Sequence, residues 1–183
     1  MKKNELYSLI SLRDFKAILG IDDREDTIAK VCLINATMAI EKYCKRKLLQ
    51  KKHCEKIEYS GETFLLLQEY PVVSMKKEQI TMNNGEILDT RFYSIFPDFG
   101  DEIDLPCYMT LSNKLKKIRD LKYIQVIYNA GYSAINVPAD LASACLELAA
   151  WNLDRYRGRQ IEGKEGMPLQ VRQLLEPYKR KVL

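Results

Sequence analysis

Side chains able to do chemistry are few and scattered in this sequence. His53 is the one histidine, and Cys54 follows it directly. An imidazole beside a thiol suggests a metal-ligand pair or an activated nucleophile. No second pair stands at ligand spacing, so four ligands cannot be assembled, and both residues are expected to be ordinary linker or strand positions. Gly163-Lys164-Glu165-Gly166 contains a Gly-Lys step. It lacks the upstream glycine, the following Ser or Thr and the preceding strand of a phosphate loop, and reads as a flexible loop. Asp98, Asp101, Glu102 and Asp104 offer oxygens of the kind divalent cations take, but their spacing matches no calcium-binding loop. They are expected to be solvated turn acids. There is no nucleophile elbow and no paired-carboxylate signature. The sequence predicts no catalytic residues, no cofactor and no metal.

What remains is charge. The 183 residues carry 29 basic and 25 acidic side chains, a net charge of +4 that hides a strong pattern. Residues 42–56 hold seven basic groups against Glu55 alone, residues 57–113 three basic and ten acidic, and residues 155–183 eight basic and three acidic. The two basic segments have the charge to neutralise phosphates, and Tyr156 and Tyr178 lie among them where they could stack on bases. A small nucleic-acid-binding module using 42–56 and 155–183 is therefore one reading. The acidic middle would repel a duplex, and no helix-turn-helix is visible. The other reading is protein contact, since blocks of opposite sign suit head-to-tail association of subunits.

Composition bounds both readings. The chain is 46% apolar and 30% charged, as in ordinary globular proteins. No apolar run approaches the ~20 residues of a membrane helix. Residues 1–10 lack the apolar stretch and cleavage site of a secretory leader. Five cysteines at irregular spacing fit reduced thiols better than a disulfide framework.

The elements that must position these groups form an α+β arrangement, a helical bundle core with an inserted small antiparallel sheet. Residues 1–53 read as N-terminal helices. Ser8 or Ser11 caps a short helix ending at Gly20. Asp22, Asp23 and Asp26 open a longer helix that runs to about Lys47. Ile28, Val31, Ile34 and Met38 recur along it at helical spacing, and Leu33, Ala36 and Ile40 widen the apolar surface to a second side. Residues 54–132 read as an inserted antiparallel β-region of five or six short strands, with a tight turn at Asn83-Asn84-Gly85 and an alternating strand from Lys122 to Tyr128. Residues 133–183 return to helix. Pro138 opens an alanine-rich helix that ends near Arg155, Arg157 and Gly158. A loop then leads to a last helix from Pro168 to about Glu176, read together with that loop as a detachable arm able to order on a partner.

Three stretches carry a resemblance. They are Val126-Ile127-Tyr128-Asn129-Ala130-Gly131-Tyr132, then Val137-Pro138-Ala139-Asp140-Leu141 with the helix to Tyr156, and Met167-Pro168-Leu169-Gln170-Val171-Arg172-Gln173-Leu174-Leu175-Glu176-Pro177-Tyr178. In this order they resemble the head–tail connector (adaptor, or head-completion) proteins of phages and prophages. The Gly20-Ile21-Asp22-Asp23 start is similar too, and Pro71-Val72-Val73-Ser74-Met75 resembles a strand of the longer members. The resemblance implies a structural virion protein at the head–tail junction, assembled in the bacterial host cytoplasm. It implies a homo-oligomeric ring of about twelve subunits docked on the portal protein, whose subunits can be monomeric when alone. A stopper or tail-completion protein would be the next partner. DNA would pass through the lumen without sequence-specific binding, and no membrane is involved. The expected contact residues are Trp151, Arg155, Arg157, Leu174, Leu175 and Tyr178, with Lys45, Arg46 and Lys47, because aromatic residues and arginine most often carry interface energy. Trp151 reads equally as a core aromatic. The acidic β-region has two open readings, a channel lining that repels DNA or an outer decoration.

Overall fold

A computed structural model describes residues 7–96, 106–158 and 166–180. The chain divides into two compact units, Met1–Leu49 with Tyr132–Leu183 and Gln50–Gly131. The expected Asp98–Asp104 acids and the Gly163–Glu165 loop residues lie outside the described residues.

The first unit is helical. Helix α1 spans Leu12–Leu19; the Ser11 hydroxyl accepts from the Asp14 N–H at 3.0 Å, and Gly20 ends the helix at φ 64°. That left-handed conformation favours glycine. A 3-10 turn at Asp23–Glu25, capped by Asp22, leads into α2, Asp26–Cys44. The Lys16 ammonium bridges Asp23 and Asp26, tying the end of α1 to the start of α2. Helix α3, Ala139–Tyr156, runs antiparallel to α2: Thr37 Oγ1 lies 3.6 Å from Cys145 Sγ, and Glu25 meets Arg157 beyond the other end. Helix α4, Leu169–Leu175, continues as a 3-10 turn through Tyr178, and the Arg180 N–H donates to the Cys44 carbonyl at 2.8 Å.

Helix α2 departs from expectation at its C-terminal end. It ends at Cys44 rather than near Lys47, because Lys45 takes φ 56° and the Glu41 carboxylate accepts from the Leu48 N–H (2.9 Å) and the Lys47 ammonium (2.8 Å), folding the chain back. Of its two apolar sides, the Ile28–Met38 stripe is the one that does not face the core. Ala29, Cys32, Leu33, Ala36, Thr37, Ile40 and Cys44 face inward. Small side chains at 29, 32 and 36 let α3 approach closely, and α3 answers with Ala144, Cys145 and Ala149. The detachable arm also needs correcting for residues 168–178. Val171, Leu175 and Tyr178 are buried in the same core as α2 and α3. Removing them would leave a hole in that core.

The second unit contains six strands among the described residues: β1 Lys51–Glu58, β2 Phe64–Leu66, β3 Val72–Met82, β4 Tyr93–Phe96, β5 Tyr108–Leu111 and β6 Tyr123–Ala130. They form two three-stranded antiparallel sheets, in the orders β1-β6-β3 and β2-β5-β4, rather than one. The alternation in β6 explains why two sheets form. Ile124, Val126, Tyr128 and Ala130 are buried and share one core with Leu65, Met109, Leu111 and Leu115, so each sheet covers the other's apolar side. The Asn83-Asn84-Gly85 turn is present, closed by the Met82 N–H donating to the Glu86 carbonyl at 2.8 Å, with Gly85 at φ 84°. Its return arm is a bridge at Ile87 rather than a full strand. Inside this unit the Tyr128 hydroxyl donates to the Glu55 carboxylate, which also accepts from the Gln68 N–H at 3.1 Å, and the Glu69 N–H donates to Tyr128 at 3.1 Å. These bonds pin the chain after β2 to β1 and β6.

Candidate functional site

The only histidine and its neighbour cannot act together. In β1 successive side chains point to opposite sides of the sheet. His53 pairs with the inward-facing Tyr128 and stacks on its ring, with centroids 5.6 Å apart, while Cys54 is exposed on the other face. Among the described residues no group of three or more His, Cys, Asp or Glu side chains is arranged to hold a metal ion. Burial pushes the Cys44 and Cys107 thiols up to about 11, far from the thiolate a nucleophile needs.

The expected contact residues separate into two groups at opposite ends of α2, a helix of 19 residues and so about 28 Å long. At its C-terminal end Arg46 is only 3% exposed, and its Nε donates to the Tyr178 carbonyl at 2.9 Å. Lys47 pairs with Glu41, Lys45 is the exposed left-handed cap, Leu175 and Tyr178 are buried, and Leu174 is half-buried against the core. At the other end Arg157 forms a two-pronged pair with Glu25, at 2.8 and 2.5 Å, fastening the end of α3 to the turn before α2. Trp151 is half-buried against the helical core, and the Arg155 guanidinium stacks over its ring at 4.9 Å. Arg46, Arg157, Leu175 and Tyr178 are thus occupied within their own chain. Arg155 remains outward, with Trp151 beneath it.

A different surface emerges around Arg155. Asn35 of α2 and Asn152, Arg155 and Tyr156 of α3 line an open cleft of about 320 Å³. Asn35 belongs to the outer stripe of α2, where Ile28, Val31 and Met38 stand at helical spacing, 37%, 38% and 62% exposed; Tyr156 is 57% exposed. One face of the helical unit therefore presents apolar and aromatic side chains around two amides and a guanidinium. Met, Tyr and Arg are residue types enriched at protein interfaces. The sequence marks Ile28, Val31, Ile34 and Met38 as one of two apolar sides of α2 and leaves open which of them faces out. The signal was available, because the side crowded with Ala, Cys and Thr is the one built for close helix packing.

Fold and surface together describe an α+β module whose helical unit carries an uncovered apolar stripe. The head completion protein family matches residues 8–181, and the chain belongs to that family, as the resemblance carried by residues 122–178 implied. Solved structures share the fold over nearly the whole length. A chain from the neck of an empty gene transfer agent particle, computed with C6 symmetry, superposes with a TM-score of 0.68 at 19% identity, covering 99% of this chain and 95% of that one. A chain from the virion of a native gene transfer agent particle gives 0.65 at 21% identity, covering 100% and 98%. Another, from the neck of the native particle computed with C12 symmetry, gives 0.62 at 19% identity, covering 100% and 98%. No curated protein matches the chain by sequence.

Proposed function

We propose that this protein is a head–tail connector of a phage or prophage, a structural protein that docks on the portal as a ring and links it to the stopper or tail. The observation that carries the reading is the uncovered stripe of Ile28, Val31 and Met38 beside Tyr156. A monomer gains nothing by exposing a second apolar side on its longest helix, whereas a ring buries it once per subunit. The neck particles computed with C6 and C12 symmetry support a ring, and about twelve copies would match the higher of the two. Portal and stopper are the partners on either side, DNA runs through the lumen, and assembly takes place in the host cytoplasm. The role is structural rather than catalytic, in keeping with family and fold.

A nucleic-acid module built from 42–56 and 155–183 is not favoured. Arg46, Lys47, Arg157 and Lys179 are engaged within the chain, with Tyr178, Glu41, Glu25 and Glu176 respectively. The connector role is tested by deleting the gene from its phage or prophage and imaging the lysate. Portal-bearing heads and free tails that fail to join are expected; a normal yield of tailed particles would refute the role.

A further inference from the structure

Among the described residues, the densest run of cations without an ion-pair partner lies outside both segments that the charge pattern singles out. It is the turn between β5 and β6. Lys114, Lys116, Lys117, Arg119 and Lys122 are all exposed, five cations within nine residues, and none has an ion-pair partner among the described residues. Among the described residues the acids that face them are Asp120 within the turn and Glu62, whose carboxyl feels the charge of Lys116. The display is held in place. The Ser112 hydroxyl accepts from the Lys114 N–H at 3.3 Å and opens a 3-10 turn, Leu115 is fully buried as its anchor, and the Asn83 side chain accepts from the Lys122 N–H at 2.9 Å and donates to the Asp120 carbonyl at 3.0 Å.

We infer that this loop is a contact site for the phosphate backbone of duplex DNA, independent of base sequence. Four of the five cations are lysines, point charges that protein interfaces tend to exclude and that phosphates accept. The loop offers no helix long enough to enter a groove and no exposed aromatic to stack on a base, so it reads charge alone. It also balances its own unit. The acidic run at 57–113 sits in the same β-unit as these cations, and residues 50–131 together carry eleven basic and twelve acidic groups. A uniformly repelling β-unit is thereby replaced by one with a local cationic contact.

The inference rests on the loop's own charge and not on the connector reading, so the test uses the protein alone. Binding to a short duplex is measured by fluorescence anisotropy between 50 and 200 mM salt, and log affinity is plotted against log salt. Each phosphate contact contributes about 0.9 to the slope. The triple variant Lys114→Gln/Lys117→Gln/Arg119→Gln is expected to bind more weakly at low salt, with a slope reduced by about 3. Lys51→Gln/Lys52→Gln, at the far end of β1, should leave slope and affinity near wild type. No binding by the wild-type protein at 50 mM salt, or equal losses in both variants, would overturn the site. So would a triple variant that keeps DNA affinity but loses binding to purified portal, which would make the loop a protein contact.

Discussion

Arg46 and Arg157 show how a residue type alone misleads. Both are reasonable interface candidates by type, yet each is held within its own chain by a partner more than a hundred positions away, Tyr178 and Glu25. Nothing local in the sequence announces such pairings, because they depend on α2, α3 and the C-terminal turn having already packed. Buried thiols give a sharper test at this scale. Cys44 and Cys107 ordinarily ionise near 9 and are pushed up to about 11 by burial; Cys32 and Cys145 are shifted the same way. Between those values the unfolded chain loses protons that the folded chain keeps. Their stabilising contribution is therefore complete below pH 9 and falls as pH rises toward 11. Denaturant unfolding from pH 8 to 10 should show stability declining by at most about 1.4 kcal/mol per pH unit for each fully buried thiol. Cys44→Ala/Cys107→Ala should flatten that decline, and an unchanged slope would mean these thiols are already accessible to water.

At the scale of elements, what was legible followed from short-range rules. Ser11 and Gly20 bounded α1, Asn83-Asn84-Gly85 made its turn, Pro138 opened α3, and the β6 alternation set its inward face. Long-range packing was not legible. The strand β5 is four residues long, too short for its alternation to stand out, and the choice between one sheet and two turns on a core shared by Leu65, Met109 and Val126 that no local pattern reveals. The Gly163–Gly166 sequence before α4 suggests a detachable arm, whereas Val171 and Leu175 bind α4 to the core. Leu175→Ala should cost about 2–5 kcal/mol in unfolding free energy, measured by chemical denaturation. Ending the chain after Gly166 should leave the helical unit unfolded or molten by near-ultraviolet circular dichroism. A native-like spectrum from that truncation would restore the arm.

For the whole molecule, the meaning of the charge blocks changes. The basic C-terminal segment is partly neutralised at home, and the acidic run is balanced inside its own unit by the cations of 114–122. Charge alone therefore does not specify how copies would meet, and the uncovered side of α2 becomes the better guide. Its residues are exposed in the single chain, so changing them should alter folding stability by less than about 0.5 kcal/mol. Assembly should respond quite differently, since a carboxylate buried in an apolar contact without a partner costs several kcal/mol per interface. The decisive measurement is native mass spectrometry of purified portal rings mixed with wild-type protein or with Val31→Glu/Met38→Glu. Wild-type protein should add in a closed set of copies matching a symmetric ring, while the folded double variant adds none or only scattered single copies. A double variant that completes the same ring would contradict the assignment of this face, and a wild-type protein that leaves the portal bare would contradict the connector itself.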